Sequence, residues 1–158
     1  MPPHPACINQ TPTVLPGLQL HPQLLNDCHI LGKLKACYLL LNKNAALPWY
    51  ILVPETDSAS LFDLPSDQRE QIMDECTRIA GWIKQHHGIS RINFGVIGNI
   101  VQQLHLHVIG RHENDACWPR PVWGNLDTTQ EYTSEELTII KSQLVSEYQL
   151  AADEDPGC

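Results

Sequence analysis

Polar and apolar residues alternate strictly through Gln103-Leu104-His105-Leu106-His107-Val108-Ile109, and a period of two predicts a β-strand. Alternation places Gln103, His105 and His107 on one face, each about 6.6–6.8 Å from the next. Leu104, Leu106 and Val108 then face a core. Other apolar runs predict strands over 29–34, 36–42 and 48–53, and from Arg91 to Ile97. Pro48 suits the start of its strand, where a missing donor is tolerated, and Pro54 stops it. Ile72, Cys76, Ile79, Ala80 and Ile83 recur at three- and four-residue spacing and predict a helix over 65–87. Gly88 suits its C′ position, and His86 and His87 read as residues of the cap region beside the negative end of the dipole. The box Thr133-x-x-Glu136 opens a last helix through Leu137, Ile140, Leu144 and Tyr148. Gly98-Asn99 predicts a type II′ hairpin into the histidine strand, which puts Asn99 on the face shared by Gln103, His105 and His107.

Strands joined as hairpins, with helices between and after them, indicate an α+β fold on an antiparallel sheet of about five strands, with one long central helix and a C-terminal helix. Residues 1–22 hold six prolines and read as an extended arm, with a short helical turn near Leu24-Leu25. Residues 23–150 form the expected single domain, and 151–158 an acidic, frayed tail. At 158 residues the chain has the usual size of one domain and buries roughly 68–70% of its unfolded surface.

Composition narrows the function classes. A net charge of −8 argues against a nucleic-acid polymer as partner, whose reader carries a basic patch, and leaves room for one small phosphorylated ligand. No apolar run reaches the ~20 residues that span a bilayer, and no basic segment precedes an apolar one at the N-terminus. The expectation is a soluble, cytoplasmic protein with no membrane partner. The six cysteines (7, 28, 37, 76, 117 and 158) form no C-x-x-C pair and read as reduced thiols, Cys37 and Cys76 as small buried hydrophobes.

Two histidines at i, i+2 on a strand admit three readings. As zinc ligands they need further donors, which Cys28-His29 or His112 could supply, although no compact spacing points to them. As structural residues they need satisfied hydrogen bonds, and three polar side chains on a half-buried face are costly without them. As catalysts, one neutral imidazole attacks an electrophile while its neighbours fix the tautomer and bind developing negative charge. The amide and backbone N–H groups of Gly98-Asn99 suit phosphate oxygens.

The stretch Gln103–Arg111, QLHLHVIGR, resembles the alternating His signature of the histidine triad (HIT) superfamily, with Gln103 in the first His position. Leu41-Asn42-Lys43-Asn44 followed by Pro48–Val53 is similar to that family's ribose-binding strand pair, and the likeness runs over roughly 28–125. Together with W-P-x-P-V-W-G (Trp118–Gly124) it resembles a bacterial HIT branch. The resemblance implies a HIT-like fold, a homodimer, a small-molecule nucleotide as ligand, and no obligatory metal or organic cofactor. It implies hydrolysis or transfer at a phosphoanhydride or phosphoramidate through a nucleotidyl-histidine, with His105 as nucleophile and His107 on the phosphate oxygens. Gln103 would then act as an uncharged amide donor. Asn42 matches the ribose-holding position, Asn99 the phosphate-contacting segment, and Asn93 lies near the family's second Asn. Tyr50 stands where some branches keep another histidine. Trp118 and Trp123 read as packing of a Pro-rich loop, which the resemblance brings toward the active site or the dimer interface. The alternative is a nucleotide-binding regulatory module without turnover.

Overall fold

Two neighbouring runs, Cys37–Asn42 and Trp49–Pro54, are apolar at nearly every position, as strands covered on both faces must be. They form β2 and β3 at the middle of a five-stranded antiparallel sheet. The computed structural model describes residues 17–151, so residues 1–16 of the arm predicted over 1–22, residues 152–158 of the tail predicted over 151–158, and Cys7 and Cys158 lie outside the described residues. With β1 (Cys28–Lys33), β4 (Arg91–Gly95) and β5 (Leu106–Arg111), the strand order is β1-β2-β3-β5-β4. A short helix α1 (Pro22–Asp27) precedes β1, and α2 (Ser66–His87) and α3 (Ser134–Tyr148) complete the chain. This is the α+β arrangement on an antiparallel sheet that the residue pattern predicts.

The helices form where the signals lie. Helix α2 ends at Gly88, whose φ of 64° is the left-handed cap conformation that glycine adopts without a Cβ penalty. In α3, Thr133 Oγ1 accepts from the Glu136 N–H (3.1 Å) and the Glu136 carboxylate accepts from the Thr133 N–H (2.7 Å), a complete capping box. The inner side of α2 carries Ile72, Cys76, Ile79, Trp82 and Ile83. They pack against Leu39, Leu41, Tyr50, Leu52, Leu104, Leu106 and Val108 of one sheet face, with Ile140 and Leu144 of α3. Each buried Ile contributes about 1.5–3 kcal/mol, and Ile79→Ala would cost about 2–5 kcal/mol once the cavity is counted.

The opposite sheet face is covered by the N-terminal segment. Leu20 and Leu24 pack on Tyr38, Leu40, Ile51 and Val53 together with Val101. Residues from Gly17 onward are therefore held against the sheet. Across this face the ladder aligns Ile30, Leu40, Ile51, His107 and Gly95 in one row.

The connection between β4 and β5 differs from the expected hairpin. β4 stops at Gly95, which pairs with His107, and β5 begins only at Leu106. Gly98 lacks the positive φ that a type II′ turn requires at its first central position. A tight turn would keep Val101 on the exposed edge. Instead the chain loops out and returns so that Val101 is buried in the second apolar layer. Asn99 lies in that loop, exposed, and does not share a strand face with the histidines. Among the described residues no helix is long and apolar enough to cross a membrane, and Cys28, Cys37, Cys76 and Cys117 are buried free thiols.

Candidate active site

His107 lies in β5 and His105 just before it, on the sheet face turned away from α2, while Leu104, Leu106 and Val108 fill the core beneath. The alternation read from the sequence thus survives even where the ladder has not yet begun. The two imidazole rings meet edge to face with centroids 4.8 Å apart, and each residue is only 6% exposed.

Their hydrogen bonds assign the ring protons. His105 Nδ1 is 2.7 Å from the main-chain oxygen of Gln103. A carbonyl only accepts, so Nδ1–H donates, and the neutral ring keeps its lone pair on Nε2. His107 Nδ1 lies 2.9 Å from the indole Nε1 of Trp49, a group that only donates. Burial, and then the neighbouring His105 ring, push the His107 pKa down to about 3, so this ring is neutral at any ordinary pH.

Trp123 closes the site from the far side. Its ring stands edge-on to His107 at 5.3 Å and to Trp49 at 6.1 Å. The Pro-rich loop that carries it is anchored by Arg111, whose guanidinium donates to Asp115 (2.6 and 3.0 Å), the Arg120 main-chain oxygen and Asn93 Oδ1. Arg111 and Asp115 side chains are 1% and 0% exposed, so this is a dry, multiply bonded ion pair.

The other sequence-predicted residues divide. Gln103 turns its amide to the N-terminal segment: Oε1 accepts from the His21 N–H (2.8 Å) and Nε2 donates to the Gln19 oxygen (3.0 Å). Asn42 ends β2 on the parity of Leu40, the His107 face, and its Oδ1 accepts from the Asn44 N–H (2.9 Å). Asn93 holds Arg111, and Asn99 stays on the exposed loop. Tyr50 points to the helix side, where its hydroxyl receives the Trp82 N–H and meets His87 Nε2. His86 stacks on Trp82 and pairs with Glu147. The alternative metal donors do not converge: His29 packs against Tyr132, and His112 Nδ1 accepts from the Asn114 N–H. Among the described residues no three His, Cys, Asp or Glu gather into a group that could hold a metal ion.

The sequence reading missed Trp49 as a partner of His107. Its only sign was the parity of Trp49 with Ile51 on β3. Trp123 reads in the sequence as packing of a Pro-rich loop, and the structure sets its ring against Trp49 and His107.

The site therefore offers one imidazole with an available lone pair and one with an available N–H, side by side under an aromatic wall. The HIT domain family matches residues 23–114. The chain belongs to the HIT domain family. No curated protein matches it. Among solved HIT structures, a histidine triad protein from Marinobacter aquaeolei is 36% identical with a TM-score of 0.76, covering 84% of this chain and 98% of its own. One from Bradyrhizobium japonicum is 34% identical with a TM-score of 0.77, covering 84% and 99%. The diadenosine triphosphate hydrolase of Plasmodium falciparum shares the fold at 18% identity, with a TM-score of 0.56 and coverage of 83% and 82%. The HIT fold of this chain carries the two histidines on the sheet face turned away from α2.

Proposed function

We propose that this HIT protein is a nucleotide hydrolase or nucleotidyl transferase acting on a phosphoanhydride or phosphoramidate bond, with His105 as nucleophile. The observation that carries this reading is the Nδ1–H of His105 on the Gln103 carbonyl, which leaves Nε2 as the attacking atom. In the first step the Nε2 lone pair forms a bond to the α-phosphorus while the bond to the leaving group breaks and its electron pair departs with that group. The ring becomes an imidazolium, and the 2.7 Å bond to the Gln103 oxygen stabilises that charge. Water then attacks phosphorus, the P–N bond breaks, and His105 returns to its neutral form.

His107 supplies a hydrogen bond to the phosphate oxygens, and Asn42, at the strand end on the same face, holds the ribose hydroxyls. Asn99 approaches the phosphates from its loop, and Asn93 acts indirectly by fixing Arg111. Gln103 occupies the first position of the His alternation, and its amide can neither carry charge nor release a proton. The diadenosine triphosphate hydrolase, related in fold alone, makes a dinucleoside polyphosphate a reasonable first substrate. The reading includes a homodimer built across β4, the sheet edge that exposes Phe94. It also includes a cytoplasmic location, where free thiols persist.

The competing reading is a nucleotide-binding module without turnover, favoured by the commitment of the Gln103 amide to the N-terminal segment. Dinucleoside polyphosphates and nucleoside phosphoramidates, offered to the protein and to His105→Ala, separate the two. Turnover that the substitution abolishes supports the enzyme. Binding without turnover in the unsubstituted protein overturns it.

A further inference from the structure

Two histidines lie side by side in this site, and sequence position alone does not say why only one should attack. The indole of Trp49 distinguishes them. Its N–H meets His107 Nδ1 at 2.9 Å, so the ring nitrogen it meets carries a lone pair and the His107 proton sits on Nε2. We propose that Trp49 is a positioning residue that locks His107 as the Nε2–H tautomer, so that this ring meets substrate only as a neutral hydrogen-bond donor. The inference rests on the reading of His107 as the phosphate-contacting group and adds the device that keeps it in that role.

The register makes the contact possible. Trp49 pairs with Ile109 and Ile51 with His107, so Trp49 and His107 are diagonal neighbours on one sheet face. The Trp123 ring packs edge-on against both partners, with interplanar angles of 85° and 83°. It narrows the room in which either ring could turn. Two rings of the same chemistry are therefore held in opposite tautomers. His105 gives its Nδ1–H to a carbonyl and keeps the Nε2 lone pair, whereas the only lone pair of His107 is consumed by Trp49.

Two consequences follow. His107 has no lone pair left with which to attack phosphorus, so the nucleophile is His105 alone. Protonation of His107 at Nδ1 would also set one N–H against another, which adds to the burial that already disfavours the cation. The titratable group facing the ring is His105, from the segment just before β5. Trp49 from β3, Trp123 from the loop and Gly95 from β4 carry none.

Nitrogen-15 NMR of the histidine rings tests the lock without reference to turnover. In the unsubstituted protein, His107 Nδ1 is expected to show the unprotonated signature and Nε2 the protonated one throughout the neutral range. Trp49→Phe keeps an aromatic ring and deletes the donor. It is expected to give a tautomer-averaged His107, protonating at higher pH than in the parent, and a fall in kcat of about 10–100-fold, as for other partners that orient a functional histidine. A protonated Nδ1 on His107 in the unsubstituted protein overturns the proposal even if the variant does not fold. So does a Trp49→Phe protein whose His107 tautomer and titration match the parent. A locked tautomer in a protein that turns over no nucleotide leaves the lock standing and overturns the enzymatic reading instead.

Discussion

The indole of Trp123 occupies the space where Gly95 would carry a side chain: a Cβ built there would stand 2.6 Å from its Cη2 atom. Gly95 pairs with His107, so the last rung of the β4–β5 ladder is also the floor under the aromatic wall of the site. Gly95→Ala must therefore displace Trp123 from Trp49 and His107. The expected cost is about 1–3 kcal/mol, typical of overpacking. Denaturant unfolding should read this loss together with a changed near-ultraviolet tryptophan signal. An unchanged signal would mean that the indole does not depend on the missing Cβ.

The loop behind that wall depends on Arg111. Burial raises the Asp115 carboxyl, but the Arg111 hydrogen bond and the N–H groups of Cys117 and His112 outweigh it and bring the pKa to about 2. A depressed carboxylate stabilises the fold above its unfolded value of 3.8, and this contribution disappears as pH falls toward 2. Asp115→Ala leaves the guanidinium buried and unpaired, at a cost of about 3–5 kcal/mol. Its unfolding free energy should also lose that acid-limb component, whereas an acid limb identical to the parent's would contradict the assignment.

His107 predicts a second window. The unfolded ring takes up a proton near 6.5, while burial and His105 delay uptake in the folded ring to about 3. The unfolded state binds more protons between these values, so stability is complete above pH 6.5 and falls as pH drops toward 3. The slope is at most about 1.4 kcal/mol per pH unit for each such group. His87, lowered by burial and then by His86, and His29, lowered by burial and then by Lys43, act in the same direction. Replacing His107 with Gln should flatten the dependence in proportion to its share. An unaltered slope would show that the ring charges freely in the folded protein.

The edge strand carries the prediction for assembly. Among the described residues β4 has one neighbour, β5, and it exposes Phe94 at 45%. A lysine placed on such an edge opposes pairing with a second copy. Sedimentation should find the parent at dimer mass and Phe94→Lys at monomer mass. A monomeric parent would remove β4 as an interface.

Much of this architecture was legible because it rests on local signals. The spacing of Ile72, Cys76, Ile79 and Ile83, the Thr133–Glu136 box and the Gly88 cap all act within a few residues. The pairing of His105 with His107 followed from strand parity. The remainder depends on partners distant in sequence. Trp49 meets His107 across 58 positions, and Gln103 meets His21 across 82. Nothing near Gly98-Asn99 signalled that burial of Val101 would replace a two-residue turn with a long loop. Gln103 shows the same limit. The resemblance implies an amide donor at this position, and the contacts that its amide makes, to the backbone of Gln19 and His21, lie more than 80 positions away.

The central claim is the covalent step at His105, and trapping the intermediate tests it most directly. The protein is mixed with a dinucleoside polyphosphate, quenched during turnover at alkaline pH, where a phosphorus–imidazole bond persists, and digested for mass spectrometry. The account predicts one nucleotidyl group on the peptide containing His105, located on that ring and absent from His105→Ala. Turnover that proceeds undiminished in His105→Ala, or a nucleotidyl group found on His107 instead, would contradict it.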